Sequence, residues 1–140
     1  VGISDTILLK PGRLTSEERE IIQQHPVIGA RTLEAVCLQY PHNAFLRMGI
    51  AIARWHHERW DGTGYPDGLA GERIPLCARV MGLEDAYDAM RTRRVYKAPR
   101  SHDQTREIVL QDRGSHFDPV LVEAFLRVEE ALQRRYREEG

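Results

Sequence analysis

The sequence contains few cysteines and no long apolar run. Its two cysteines, Cys37 and Cys77, form no CxxC pair, so they predict neither a disulfide framework nor a thiolate zinc site. No apolar stretch approaches the roughly 18 residues that a membrane span needs. No basic-then-apolar signal pattern opens the chain either. Together these absences predict a cytoplasmic protein with no membrane segment.

An excess of charge is also missing, because 20 basic residues face 21 acidic ones and the net charge is −1. A general nucleic-acid-binding domain usually carries a basic excess, so the balance argues against that class. Positive charge is concentrated locally, however, since five basic residues and no acid lie between Arg91 and Arg100. Such a patch suits a small anionic ligand. The first residue is Val1 rather than Met, which predicts a piece of a longer protein.

The hydrophobic pattern predicts one all-α domain, because no segment alternates with period 2. A chain of 140 residues with 41% hydrophobic residues can bury a core without crosslinks. Capping boxes begin two of the helices, at Thr15 and Ser101. The fourth helix is expected to point Leu76, Val80 and Leu83 toward the core. The predicted helices run from Thr15 to about Gln24, from Pro26 through Cys37, from Phe45 to about His57, from Ile74 through Met90, from Ser101 to near Gly114, and from Asp118 onward.

Adjacent histidines, His56 and His57, end the apolar third helix. Neighbouring side chains on a helix point about 100° apart, but at a helix terminus both can approach one metal site. Imidazole is a good ligand for zinc, copper, iron and nickel. A second interpretation is that both histidines simply solvate the helix end.

Other candidate ligands lie elsewhere in the chain. Asp85 and Asp88 are one turn apart and share a helix face. His25 precedes the break at Pro26, and a hydrogen-bonded core histidine is the alternative interpretation of it. Three histidines and a carboxylate at the ends of packed helices predict a site with nitrogen and oxygen ligands. Spacing alone leaves both interpretations open.

Four sequence blocks decide between a metal site and a purely structural role for these histidines. The string HHERWDGTGYPDGLAGERIPL is preceded by ILLKPGRLTSEE and followed by RRVYK and GSHFDPVLVEAF. These blocks, in this order, resemble the HD-GYP family, and the resemblance covers almost all of the chain. It implies an HD-domain-like helical bundle with an irregular, glycine-rich GYP loop. It also implies that residues 1–140 form an HD-GYP domain that lacks its N-terminal helices and the family's His-Asp motif.

The resemblance implies a role for individual residues. The implied metal ligands are His25, His56, His57 and Asp85. The implied substrate-binding residues are Gly64, Tyr65, Asp88, Arg94 and Lys97. The expected cofactors are divalent transition metals, iron or manganese, in a binuclear or trinuclear centre of the complete domain. No side chain is assigned as the catalytic acid or base, because the family's upstream lysine is absent.

The implied function is metal-dependent hydrolysis of cyclic-di-GMP to pGpG or GMP in bacterial second-messenger signalling. Without the upstream His-Asp pair, these 140 residues alone are expected to be weakly active or inactive. The alternative is a non-catalytic cyclic-di-GMP sensor or protein-interaction module with an incomplete metal site. The family often follows a receiver or other sensory domain, as in response regulators, so such a partner domain is expected, and a homodimer is allowed.

Three positions depart from the family pattern, of which Val95, in place of the commoner Pro, is expected to be harmless. Glu84 lies where a small residue is usual, and Arg91 replaces the usual Thr or Ser. A charge at Glu84, directly beside Asp85, is expected to weaken or reshape the metal site.

Overall fold

The computed structural model describes residues 13–92 and 98–139. The described chain is helical, which confirms the all-α prediction, and within it only two isolated bridges, Asp61–Ala70 and Arg113–Phe117, pair extended backbone. One 3₁₀ turn, Gly71–Arg73, interrupts the loop between the third and fourth helices. The α-helices are α1 (Ser16–Gln23), α2 (His25–Cys37), α3 (Ala44–Trp55), α4 (Leu76–Arg91), α5 (His102–Gln111) and α6 (Pro119–Glu139).

Local side-chain caps set the helix starts where the sequence predicted them. The Thr15 hydroxyl accepts from the Glu18 N–H, and the Glu18 carboxylate accepts from the Thr15 N–H, which confirms the first capping box. Ser101 and Gln104 make the same reciprocal pair at the start of α5. Each pair satisfies N–H groups that the first turn of a helix leaves without a partner. Pro75 precedes α4 as its N-cap rather than lying inside the first turn.

The core lies where α4, α5 and α6 meet. Its buried side chains are Leu83, Tyr87, Val109, Phe117, Val122 and Phe125. α2 packs along α3, and α3 packs against α4, so α4 joins the two halves of the fold. The inward prediction was wrong for Leu76 and Val80, which are 57% and 47% exposed. Sequence periodicity predicts which residues share one apolar face of a helix. Whether each of those residues is buried depends on how far the neighbouring helices extend over that face.

Among the described residues, no helix combines the length and apolar character that crossing a bilayer would require. Cys37 and Cys77 are free and half-buried, in agreement with the absence of a predicted disulfide.

Candidate metal and phosphate site

His56 occupies the C-cap of α3, where the helix turns into the glycine-rich loop. Its Nδ1 lies 2.6 Å from the Ile52 carbonyl oxygen. A carbonyl oxygen only accepts, so Nδ1 carries a proton. Nε2 lies 3.7 Å from Asp85 Oδ2 on α4. Metal-ligating histidines commonly donate their other ring N–H to a carbonyl or carboxylate in this way, so His56 has the ring orientation of a metal ligand, with Nε2 beside a carboxylate.

His57 follows in the turn and lies against two other rings. Its centroid is 4.0 Å from that of His56, and Tyr65 stacks on it at 5.1 Å. Burial, the largest cause, together with the nearby His56, His25 and His116, whose imidazolium charges would repel its own, lowers the pKa of His57 to about 4. A neutral imidazole is the form that binds a metal ion.

His25 begins α2 and has an electrostatic effect on His57. Its Nδ1 is buried and has no hydrogen-bond partner within the described ranges. A buried polar atom without a partner is costly and calls for a physical reason. A cation bound to the imidazoles is one such reason, so the donor set of imidazoles and a carboxylate fits a divalent transition metal.

A cavity of about 450 Å³ opens beside these rings. His56, His57, Asp85 and Asp88 all line it, so the structure brings four of the predicted residues to one wall. His116 and Arg100 line it as well, although sequence reasoning assigned neither of them. Their only sequence signals were the HFDP block for His116 and the basic patch for Arg100.

The side chains do not converge fully on one ion. Across residues 13–92 and 98–139, no three His, Cys, Asp or Glu side chains are close enough to hold a metal together. Asp85 is 55% exposed and faces the open cavity. The four-ligand metal site therefore stays a prediction. Arg94 and Lys97, the predicted phosphate-gripping pair, lie outside the described residues.

Glu58, which follows His57, fastens the glycine-rich loop and was not predicted. This side chain is 5% exposed. Its Oε1 accepts from the N–H groups of Asp67 and Gly68 at 2.6 and 3.1 Å, and its Oε2 accepts from Leu69 at 2.9 Å. Carboxylates that accept several backbone N–H bonds hold a loop in one geometry.

Asp67 provides a second fastening between the loop and α3. Its Oδ2 accepts from Arg54 Nε at 2.9 Å and from Trp55 Nε1 at 2.7 Å, and its Oδ1 accepts from Arg54 Nη2 at 3.1 Å. These bonds lower the pKa of Asp67 and raise that of Arg54. Arg54 and Trp55, which directly precede the histidine pair, therefore fix the loop at Asp67.

Two glycines permit backbone contacts that shape the site. A Cβ on Gly64 would lie 2.5 Å from both the His57 carbonyl oxygen and the Arg59 nitrogen. Only a residue without a Cβ fits there, and this contact brings the adjacent Tyr65 onto His57. A Cβ on Gly82 would lie 2.9 Å from the His56 carbonyl oxygen, so Gly82 lets α4 bring Asp85 close to His56.

Glu84 and Arg91, two departures from the family pattern, do not line the cavity. Glu84 lines an apolar groove together with Tyr87 and Phe125 on another face of α4. The expectation that its charge disturbs Asp85 therefore has no support in the described packing. Arg91 lies over the Tyr87 ring, with its Cζ 5.9 Å from the ring centroid.

Comparison with known proteins places this geometry in a family. The model of the HD domain family matches residues 4–121. A cyclic di-GMP phosphodiesterase of Vibrio cholerae is 52% identical over 130 residues, which are 93% of this chain and 26% of that protein. The cyclic di-GMP phosphodiesterase response regulator RpfG of Xanthomonas campestris is 42% identical over 134 residues, which are 96% of this chain and 34% of that protein. The chain thus spans about a quarter to a third of the length of these relatives.

A solved structure agrees at the level of the fold. A cyclic GMP-AMP-specific phosphodiesterase of Vibrio cholerae superposes with a TM-score of 0.56 at 19% identity, over 94% of this chain and 35% of that one. At that identity the match concerns the fold alone. The family match across most of the chain, together with the HHE and GYP blocks of the sequence, leads to one conclusion: the chain belongs to the HD domain family and to its HD-GYP members, as the sequence predicted.

Proposed function

We propose that this protein is a metal-dependent phosphodiesterase that hydrolyses cyclic-di-GMP to pGpG or GMP. The observation that carries the proposal is the cavity of about 450 Å³, whose wall combines His56, His57 and Asp85. Ligand cavities commonly have volumes of about 300–1,000 Å³. The relatives named as cyclic di-GMP phosphodiesterases support the choice of substrate.

In this proposal the metal ligands are His25, His56, His57 and Asp85. The chemistry of this donor set favours a divalent transition metal, and we propose iron or manganese in a binuclear or trinuclear centre of the complete domain. Bound metal supplies Lewis acidity for phosphodiester hydrolysis. Burial lowers the pKa of His57 and so favours its neutral form, and the Ile52 carbonyl fixes the His56 ring so that Nε2 faces Asp85.

Substrate contacts in this proposal come from the loop and the end of α4. Tyr65, brought onto His57 by the close approach at Gly64, offers a ring that stacks on a histidine of the cavity wall. Asp88, one turn after Asp85, can accept from a guanine N–H. We assign the phosphate contacts to Arg94 and Lys97, since a guanidinium fork and an ammonium both suit phosphate oxygens.

Hydrolysis adds one water molecule across a phosphodiester. The new P–O bond comes from that water, the bond from phosphorus to the ribose oxygen breaks, and the leaving oxygen takes a proton. The first product is linear pGpG, and a second hydrolysis yields GMP. During hydrolysis the residues of this chain bind the dinucleotide and orient it against His56 and His57 in the cavity.

The test combines metal analysis with product analysis after anaerobic purification. In the complete parent protein we expect bound iron or manganese and the appearance of linear dinucleotide from cyclic-di-GMP, followed by chromatography. His57→Gln and Asp85→Asn should lose metal and turnover together, whereas His42→Gln, at an exposed position in the loop before α3, should lose neither. Metal content that is the same in all four proteins would contradict the ligand assignment.

A second candidate function is a non-catalytic cyclic-di-GMP sensor or interaction module. It is favoured by the observation that no three ligating side chains within the described ranges close on one ion. A sensor would bind cyclic-di-GMP with a measurable Kd and release it unchanged after prolonged incubation with metal. Product formation would exclude this alternative.

We further propose a receiver or other sensory domain as a regulatory partner, because one relative is named a response regulator. A cytoplasmic location and a homodimer stay predictions. Domain content follows from the complete parent sequence, and sedimentation of the purified protein would measure the oligomeric state.

A further inference from the structure

His116 presents an imidazole to the same cavity, in the turn between α5 and α6. We infer that His116 is a substrate-binding residue whose ring N–H donates a hydrogen bond to a phosphate oxygen of the bound cyclic dinucleotide. This inference rests on the proposed function, because it identifies a further contact to the same substrate. It does not depend on protonation, since a neutral imidazole still carries one N–H donor and the charged form carries two.

The turn that carries His116 is held by its own backbone. The Asp112 carbonyl oxygen accepts from the N–H groups of Ser115, His116 and Phe117 at 3.0–3.1 Å. The His116 ring stacks on Phe117 with 4.0 Å between centroids and 15° between planes. Because Phe117 is only 4% exposed, the imidazole rests on the hydrophobic core. A ring fixed in this way loses little conformational entropy when it meets a ligand.

The same turn is also joined to the glycine-rich loop. The Trp60 N–H donates to the His116 carbonyl oxygen at 3.1 Å, and the Asp61 N–H donates to Ser115 at 2.9 Å. These two hydrogen bonds therefore fix the position of His116 relative to the glycine-rich loop, which also brings Tyr65 onto His57. His116 and His57 both line the cavity.

The ring has no competing structural partner. Within the described part of the chain, neither nitrogen of His116 hydrogen-bonds to a protein group. The cavity wall also carries two acceptor-only carboxylates, Asp85 and Asp88. A phosphodiester brings further negative charge, so its oxygens need N–H donors. Among the described side chains that line this cavity, His116 and Arg100 can donate without being predicted metal ligands, and His116 is the one fixed by stacking.

Two substitutions separate the donor from the stacking ring. His116→Phe keeps an aromatic ring on Phe117 and removes the N–H, whereas His116→Gln restores an N–H at about the position of Nε2 without the ring. In the metal-loaded protein we expect His116→Phe to raise the Kd for a phosphorothioate analogue of cyclic-di-GMP about ten- to a hundredfold, the usual effect of losing a hydrogen bond to a charged group. His116→Gln should recover most of the affinity. Metal content should not change, and His42→Gln provides the exposed control.

The outcomes distinguish this inference from the function on which it rests. If the wild-type protein binds the analogue and His116→Phe binds it equally well, the contact does not exist and the proposed function stands. If His116→Phe loses metal in step with affinity, His116 is a metal ligand and the inference is overturned. If the wild-type protein neither binds nor hydrolyses cyclic-di-GMP with metal present, the proposed function fails first.

Discussion

The Glu58→Gln substitution tests whether one buried carboxyl group holds the glycine-rich loop. Three backbone N–H groups donate to its two oxygens at 2.6, 3.1 and 2.9 Å. A hydrogen bond to a charged group contributes about 1.5–3 kcal/mol. Glutamine keeps one oxygen and turns an NH₂ group toward at least one of those donors. We therefore expect a loss of about 2–4 kcal/mol in the free energy of unfolding.

For a domain of this length, 1 kcal/mol corresponds to about 3–5 °C in Tm, so Tm should fall by at least about 6 °C. The matched control is Glu72→Gln, at an exposed position later in the same loop, which should change the unfolding free energy by no more than about 0.5 kcal/mol. Hydrogen exchange at the amides of residues 67–69 should accelerate in the first variant alone. Equal Tm values and equal exchange in both variants would refute the anchoring role.

Three further predictions concern packing, charge and capping. Gly64→Ala should lower the free energy of unfolding by about 3 kcal/mol or more, because the new Cβ would lie 2.5 Å from backbone atoms. The control is Gly71→Ala, where the only strain is a φ of 58° and the space around the Cβ is open. It should lower the free energy of unfolding by about 1–2 kcal/mol in the same urea titration. Burial lowers the pKa of His57 in the folded protein to about 4, whereas an unfolded histidine has a pKa of about 6.5. Between these two pH values the unfolded chain therefore binds more protons than the folded chain. The metal-free protein should therefore lose stability as pH falls through this window, and urea titrations should show a flatter dependence for His57→Gln. Ser101→Ala should remove the cap of α5 and lower the unfolding free energy by about 1 kcal/mol in a thermal melt.

The helix starts could be predicted because their causes are local. The Thr15 and Ser101 capping boxes each lie within four consecutive residues, so the sequence contains the whole interaction. The ends of the apolar faces were less predictable. Val80 has helical spacing but lines an apolar groove of about 250 Å³ between α4 and α6. How far one helix covers another depends on tertiary packing, which the spacing of apolar residues does not specify.

The site was predictable only in part. Spacing indicated that His56 and His57 were candidate ligands, but Asp85 lies 28 residues after His57 and no local rule joins them. The resemblance to a family assigned Asp85 to the same site as the histidines. The close approach of Gly82 to the His56 carbonyl oxygen is the physical reason that α4 brings Asp85 near His56. His116 and Glu58 were missed because a single histidine or glutamate in a loop has no periodicity. Their roles follow from tertiary hydrogen bonds and stacking.

The glycine-rich loop links stability to the site because hydrogen bonds, rather than a deep apolar core, hold it in place. Glu58 closes the loop on one side, and Trp60 joins it to the His116 turn on the other. Between these two attachments lies Tyr65, stacked on His57. Weakening either attachment should therefore change substrate affinity as well as Tm, whereas a change in the core formed by α4, α5 and α6 should lower Tm alone. Coupling between Glu58→Gln and Tyr65→Ala in a double-mutant cycle for Kd would measure how much of the Glu58 effect passes through the Tyr65 ring. Additive effects on Kd would mean that the Glu58 anchor stabilises the loop without positioning that ring.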